Sequence, residues 1–433
     1  MFEATKPIAT AATPVDRVAP HAAKPVSAPL TASQLAIVKS TAPALKAKGE
    51  EITTLFYKNM IETHPELHNI FNQTGQSTGA QPRALAGAVF AYASYVDDLG
   101  RLQALVERIA HKHVSLVVQP EQYEIVGKHL IEAVAAVLGD AVTQEVAEAW
   151  TAAYGALANI FINREREIYA SHENWKGWRP FRIQKKVAET TQIASFYLVP
   201  EDGKPLPLFK PGQYISLRLM VPEFGYMQPR QYSLSDAPQS SHYRISVRRE
   251  EGRATTLPGW ISTALHDKYK EGDIVELTHP TGDFFVNTGS SETSPIVLIS
   301  AGVGVTPMMS ILNSAVSAGS QRPIAWIQGA HRAELQPFGE KVQEICAKHQ
   351  NVQATIFRTI RDHGDAQELD HGFEGRVDLG KLGQDRLFLD QDNAEYYICG
   401  PTAFMHDMQR HLVERQVHLT RIHMEVFGVG DGE

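Results

Sequence analysis

Two hydrophobic periods divide this chain, and they meet near Trp175. From Thr31 to Ser171 apolar residues recur at helical spacing, the signature of segments that bury one face. After residue 180 they come as short β-branched and aromatic runs cut by turn residues, the texture of strands. A chain broken in this way needs an all-helical unit followed by units built on sheets. Helices are expected over 32–47, 50–61, 81–97, 99–118, 121–138 and 142–169. Thr31 opens the first, with Gln34 three residues on, a capping box. Strands are expected at Phe181–Val187, Ile193–Val199, Tyr214–Leu219, Tyr243–Val247 and Asp273–Leu277, which suggests an antiparallel barrel. From Ser294 the texture changes again. Ile296–Ser300, Ile324–Gln328, Ala354–Thr359 and Tyr396–Cys399 alternate with helical stretches and read as parallel strands of an α/β unit. At roughly 150 residues per domain, 433 residues fit three such units. The expected divisions are an N-terminal extension (1–29), the helical unit (30–172), a linker (173–180), the barrel (181–289) and the α/β unit (290–433).

Composition narrows the function. There are 41 basic and 49 acidic residues, a net charge of −8, so the basic excess of a nucleic-acid binder is missing. Two cysteines, Cys346 and Cys399, cannot build a disulfide scaffold or a four-cysteine zinc site. They fit a reducing compartment, and the cytoplasm is expected. The mitochondrion is the alternative, because Lys6, Arg17 and Lys24 outnumber Glu3 and Asp16 in the first 29 residues. That stretch lacks an apolar signal core and is broken by Pro7, Pro14, Pro20, Pro25 and Pro29, so it reads as a disordered extension. Thr293–Gln321 carries no charge, but Gly302, Gly304, Pro307 and Asn313 interrupt it, so it reads as a buried strand and a loop rather than a membrane span.

Eighteen histidines prompt a search for a metal or haem. Leu102, Leu105, Val106, Ile109, His113 and Leu116 share one helical face. His111, two residues from His113, points well away, beside Glu107 and Arg108. Taken alone, a histidine on such a stripe reads first as a packed core residue. Its company changes the reading: Tyr57, then Pro65-Glu66-Leu67 with Phe71, then Gln81 and Leu85 one turn apart. This order resembles a globin. Together with Leu55-Phe56-Tyr57, Lys112-His113, Pro120-Glu121-Gln122-Tyr123 and Phe161-Ile162-Asn163-Arg164-Glu165, it is similar to the flavohaemoglobins, the bacterial and fungal nitric oxide dioxygenases, across nearly the whole chain from Thr31. The resemblance implies that His113 is the proximal ligand of haem iron and that Phe71 packs on the porphyrin. It puts Tyr57, Gln81 and Leu85 on the distal side, and it joins Tyr123 and Glu165 to His113 by hydrogen bonds. Tyr123 shares a face with Val126, Gly127, Leu130, Ile131 and Val134. Glu165 follows Trp150, Tyr154, Leu157 and Phe161 at helical spacing, though it also stands in the charged run Arg164–Glu167, which reads as a solvated face.

Further along, Arg230-Gln231-Tyr232-Ser233 resembles the flavin signature of the ferredoxin-reductase-like superfamily. There the arginine meets the FAD pyrophosphate, a task suited to its bidentate fork. The tyrosine lies on the isoalloxazine, and the serine bonds near its reactive nitrogen. Gly259-Trp260-Ile261-Ser262-Thr263-Ala264-Leu265 resembles the second flavin motif. It is displaced from the acidic turn Glu250-Glu251-Gly252 by Arg253–Pro258, which leaves Gly252 as a rival for the motif's glycine. Gly302-Val303-Gly304-Val305-Thr306-Pro307 follows an expected strand and precedes a helix, where glycines let a pyrophosphate approach. The resemblance makes it the NAD(P)H site, with Cys399-Gly400-Pro401 near the nicotinamide. By the same resemblance, Glu425-Val426-Phe427-Gly428 forms a closing strand whose Phe427 covers the flavin.

The implied protein is a nitric oxide dioxygenase with haem b, FAD and either NADH or NADPH. Coenzyme reduces FAD, FAD reduces haem iron, and iron-bound O₂ oxidises nitric oxide to nitrate. Its substrates are small molecules. No nucleic acid, stable membrane insertion or separate reductase partner is expected. Two alternatives stay open: a haem and flavin reductase or peroxidase acting on lipid hydroperoxide or quinone, and an oxygen-binding or sensing globin.

Overall fold

The structure, a computed structural model, describes residues 29–72, 75–76, 78–172, 175–252, 258–287, 292–360 and 372–428. Most of the expected N-terminal extension, part of the linker, most of Arg253–Pro258 and the last five residues lie outside that set. The described part is all-helical, then antiparallel, then parallel α/β, as expected.

The helical unit holds α1 (Ala32–Ser40), α2 (Ala42–Thr63), α3 (Ala80–Tyr95), α4 (Gln103–Ser115), α5 (Pro120–Leu138) and α6 (Gln144–Ala170). Thr31 and Gln34 do form the capping box. The break between α1 and α2 falls at Thr41, not in the 48–49 gap expected. Pro43, in the first turn of α2, has no N–H to continue the preceding helix. Gly49 instead stays inside α2, where a Cβ would come within 3.1 Å of the Ala86 methyl, so glycine lets α2 and α3 cross closely. Val38, Ile52, Phe56, Met60, Tyr92, Leu130 and Trp150 fill the core between them.

The second unit is a six-stranded antiparallel sheet in the order β4-β3-β6-β1-β2-β5. Its strands are β1 (Arg179–Ala188), β2 (Ile193–Pro200), β3 (Tyr214–Val221), β4 (Tyr226–Ser233), β5 (Tyr243–Arg248) and β6 (Ile274–Leu277). A bridge from Leu234, just past the end of β4, to Ile245 in β5 joins the two outer strands and rolls the sheet into a barrel. Strand β4 was not expected, because Pro229 interrupts its pattern. Proline is tolerated there because β4 is an outer strand of the ladder. Helix α7 (Trp260–Asp267) packs Ile261 and Leu265 into the barrel core.

The third unit is a parallel sheet in the order β10-β9-β8-β7-β11-β12. It comprises β7 (Ile296–Ala301), α8 (Val305–Ser317), β8 (Ile324–Ala330), α9 (Gly339–Lys348), β9 (Val352–Arg358), β10 (Gly372–Glu374), α10 (Gln384–Leu387), β11 (Glu395–Cys399), α11 (Thr402–Glu414) and β12 (Ile422–Glu425). The closing strand therefore ends at Glu425, where it was expected to begin. The uncharged stretch 293–321 is β7 and α8. Val305–Ala315 is buried all round because it lies between the sheet and the barrel, where Ser310 Oγ donates to the Asp236 carbonyl at 2.8 Å. No helix among the described residues is long and apolar enough to cross a membrane.

Candidate functional site

Helix α4 presents different chemistry on two faces. His113 is 31% exposed at its side chain, and its Nδ1 lies 2.8 Å from both Glu165 Oε1 and Tyr123 Oη. Tyr123 in turn donates a short hydrogen bond to the same Glu165 oxygen. Glu165 is 1% exposed, which removes it from the solvated run; Arg164 beside it turns outward to Glu107 and Glu167. Burial, and then the neighbouring Glu165 carboxylate, push the Tyr123 phenol well above its usual range, so it stays a donor. With Nδ1 engaged, the proton sits on that nitrogen and Nε2 is left as the free ligating atom, with no hydrogen bond among the described residues. This donor set fits a metal-bound imidazole, whose other nitrogen normally donates to a carboxylate. Phe71, Leu85, Val89, Ile109, Val126 and Leu157 pack on the helical cores yet stay half-buried, as the walls of a cleft for a flat apolar group would.

On α2, Tyr57 is buried, and Phe71 meets its ring edge-on at 5.5 Å. Burial pushes the Tyr57 phenol far up, and Gln81 hydrogen-bonds it. Gln76, which the sequence reading passed over, donates to Gln81 Oε1 at 2.9 Å. Its only signal was its place one turn before an expected helix. The structure thus brings together Tyr57, Phe71 and Gln81, with His113, Tyr123 and Glu165 forming a second group.

In the barrel, Ser233 Oγ is buried with no hydrogen-bond partner among the described residues. Arg230 is half-buried, donates to the Pro229 carbonyl at 2.7 Å and has no carboxylate partner among the described residues; burial lowers its guanidinium pKa. An orphaned hydroxyl and an unpaired, desolvated cation on one strand, with the half-buried Tyr232 between them, fit a flavin nucleotide with its pyrophosphate. Gln231 points elsewhere and donates to Ser115 Oγ in α4 at 3.0 Å. Gly259 is the N-cap of α7, and a Cβ there would sit 2.7 Å from Ser262 Oγ and 3.0 Å from Glu250 Cβ. Gly252 has φ +79°, so each of the two rival glycines has its own reason to be glycine.

The parallel sheet reverses its strand order between β7 and β11, and a crevice forms outside the carboxyl ends of strands at such a point. Gly302-Val303-Gly304 follows β7, and Cys399-Gly400-Pro401 ends β11. Gly302 has φ +58°, and a Cβ on Gly304 would lie 2.3 Å from the Cys399 carbonyl oxygen. The two turns are therefore packed backbone to backbone, and Val305, Thr306 and Pro307 open α8 from there. The Cys399 thiol is buried and its pKa is raised by burial, so it is no ready nucleophile. Glu425 pairs with Cys399 across the strands. Burial and then Asp283 push its carboxyl up to about 8. Phe427 is 43% exposed just beyond it. Lys112, beside His113, donates to the Gly428 carbonyl at 3.0 Å and so ties α4 to the segment that follows β12, a link no local pattern signalled.

Residues 54–161 match the globin family, and residues 298–410 match the oxidoreductase NAD-binding domain family. A flavohemoprotein of Bordetella pertussis is 45% identical over 400 residues, covering 91% of this chain and 98% of that protein. One from Rhizobium meliloti is 44% identical over 403 residues, covering 92% and 98%. Among solved structures, the flavohemoglobin of Malassezia yamatoensis, determined with bound FAD and heme, superimposes with a TM-score of 0.80 at 29% identity, covering 92% of this chain and 100% of that one. The FAD/NAD-binding domain of a nitric oxide dioxygenase from Vibrio cholerae matches 58% of this chain and 98% of its own, at 35% identity and a TM-score of 0.51. With full-length relatives at this identity and both halves accounted for, the chain belongs to the flavohaemoprotein family.

Proposed function

We propose that this protein is a nitric oxide dioxygenase that uses NADH or NADPH, FAD and haem b to turn nitric oxide and O₂ into nitrate. The observation that carries the reading is the His113–Tyr123–Glu165 cluster, a ligating imidazole backed by a buried carboxylate, on the same chain as a flavin strand and a dinucleotide crevice. The relatives named above support it. Residues 30–172 hold haem, 181–289 hold FAD and 290–433 hold the coenzyme. When bound, these groups supply hydride acceptance, single-electron transfer and the iron at which O₂ and nitric oxide react.

The residues supply the rest. His113 offers Nε2 to iron, while Glu165 accepts the Nδ1 proton and Tyr123 fixes the carboxylate oxygen, which raises the basicity of the imidazole. Tyr57, kept protonated by burial, donates a hydrogen bond into the distal side, oriented by Gln81, and Leu85 excludes water there. Phe71 packs against the haem plane. Arg230 meets the flavin pyrophosphate, Tyr232 stacks on the ring and Ser233 donates to it; Gly259, Ile261 and Ser262 bring the α7 N-terminus to the nucleotide. Gly302, Val303, Gly304, Val305, Thr306 and Pro307 take the coenzyme pyrophosphate, with Cys399, Gly400 and Pro401 at the nicotinamide and Glu425 and Phe427 at the flavin edge. Because the reductase is fused, no separate electron donor is needed. Two unpaired cysteines suit a reducing cytoplasm. Absorbance spectra taken before and after NADH, and then with nitric oxide under air, test the reading: haem and flavin must both be present, NADH must bleach the flavin band and shift the haem bands to those of the ferrous form, and nitric oxide must return the haem to its oxidised spectrum.

A further inference from the structure

His111 lies two residues before His113, on the opposite face of α4, and is buried to 9% exposure in the seam with the barrel. Its Nδ1 accepts from the Gly282 backbone N–H at 3.1 Å and lies 2.6 Å from Thr281 Oγ1. A backbone N–H can only donate, so Nδ1 carries no proton, and the Thr281 hydroxyl donates to it as well. The ring proton is then on Nε2, which donates to Glu107 Oε1 at 3.1 Å. Glu107 is gripped by Arg164 through Nε at 2.6 Å and Nη2 at 2.5 Å. One imidazole thus joins α4 and α6 on one side to a barrel loop on the other.

That loop is itself strapped to β3, the neighbour of the flavin strand. Thr281 and Tyr214 exchange backbone hydrogen bonds of 2.8 and 2.9 Å, and Gly282, at φ +126°, packs so closely that a Cβ would stand 3.0 Å from the Tyr214 ring. Tyr214 opens β3 and pairs across the ladder with Ser233. Three contacts therefore lead from His111 to Ser233. Ser115, one turn beyond His111 on the same face, meets Gln231. Helix α4 shows His111 and Ser115 to the barrel and His113 to the haem cleft, so a rigid helix transmits any shift on one face to the other. Among the described residues, α4 also meets this loop through the Arg108–Asp283 pair, 3.7 Å apart with Arg108 59% exposed, a weak constraint.

We propose that His111, through its Nδ1 acceptor, is a positioning residue that sets the haem helix against the flavin strand and so governs electron transfer from flavin to haem. The inference rests on the function proposed above. It concerns one internal step, which can be timed apart from the others. The full-length holoprotein is compared with His111→Leu, which removes the acceptor, and His111→Asn, whose side-chain oxygen can replace Nδ1. Haem and flavin content are read from absorbance. Under anaerobic stopped flow, NADH bleaches the flavin, and haem reduction is trapped with carbon monoxide. The Leu variant should reduce flavin within about twofold of the parent but reduce haem about tenfold more slowly, since small misplacements of reacting groups are costly. The Asn variant should recover most of that loss. Parent-like haem reduction in the Leu variant, equal slowing in Leu and Asn, or slowing of the flavin step in parallel would each overturn the proposal. If the Leu variant fails to retain haem, Thr281→Val removes a donor from the barrel side and must show the same selective slowing; a parent-like rate there overturns it. A parent protein lacking haem or FAD would instead sink the function proposed above, and this role with it.

Discussion

Glu165 shows how far a single residue could be read. Helical spacing put it on the stripe of Trp150, Tyr154, Leu157 and Phe161, while its charged neighbours argued for solvent. The structure places it at 1% exposure, against His113 and Tyr123. The neighbours reach solvent because Arg164 finds its partners on the outer side, in Glu107 and Glu167. A carboxylate behind the imidazole makes it electron-rich and favours oxidised iron. Glu165→Gln should therefore keep haem, raise the iron reduction potential and slow nitric oxide turnover by about 10–100-fold. Potentiometry and turnover measured on the same variant check this, and parent-like values of both would return Glu165 to a packing role. His111 was legible only by halves. Its direction away from His113 and its neighbour Glu107 followed from the helical period. Its burial did not, because the atoms that bury it, from Thr281 and Gly282, lie about 170 residues downstream and belong to a loop with no period to read.

Among the elements, long helices and β-branched strands were legible because each buries one face and so repeats. Strand β4 was not, since Pro229 and its polar residues suit an outer strand that the helical unit partly covers. There Asn69 Oδ1 accepts from the Met227 N–H at 2.9 Å, and Gln228 donates to the His68 carbonyl at 2.7 Å. Arg230-Gln231-Tyr232-Ser233 stands out in the sequence by its residue types, while the strand that carries it does not. The turns after β7 and β11 were read as separate glycine motifs, and only the fold shows them in contact. Gly304→Ala would force a Cβ to 2.3 Å from the Cys399 carbonyl oxygen, where both sides are backbone. Overpacking of this kind costs about 1–3 kcal/mol. The variant should show a KM for NADH raised about tenfold or more, with the haem and flavin spectra unchanged. Steady-state kinetics at varied NADH check it; an unaltered KM would mean that the two turns need not touch for coenzyme to bind.

At the scale of the whole molecule, the three units are joined through polar contacts that no sequence period announces, and these set its response to acid. His279 lies where α6 and the barrel meet, stacked 4.0 Å from His172, its Nδ1 donating to the Pro280 carbonyl at 3.1 Å and its Nε2 buried without a partner among the described residues. Burial, and then His172, push its pKa down from 6.5 to about 3. Between those values the unfolded chain binds a proton that the folded chain refuses, so stability present above pH 6.5 is lost as pH falls toward 3. From pH 7 to pH 5 this one group should remove about 2 kcal/mol. His279→Gln should remove that share of the acid sensitivity, measured by chemical unfolding at both pH values; equal losses in parent and variant would exclude His279 as its source. Contacts of the same kind set the helical unit against β4, and the segment after β4 against α8 of the parallel unit, which suits the electron path proposed above. On the proposed function each turnover would add O₂ and one electron to nitric oxide, so one hydride from NADH would support two nitrates. The most direct test pulses nitric oxide into air-saturated solutions of the purified holoprotein with NADH and counts both products. Nitric oxide should trigger rapid NADH oxidation, with two nitrates formed per NADH, whereas NADH oxidation indifferent to nitric oxide, or nitrite or nitrous oxide in place of nitrate, would contradict the account.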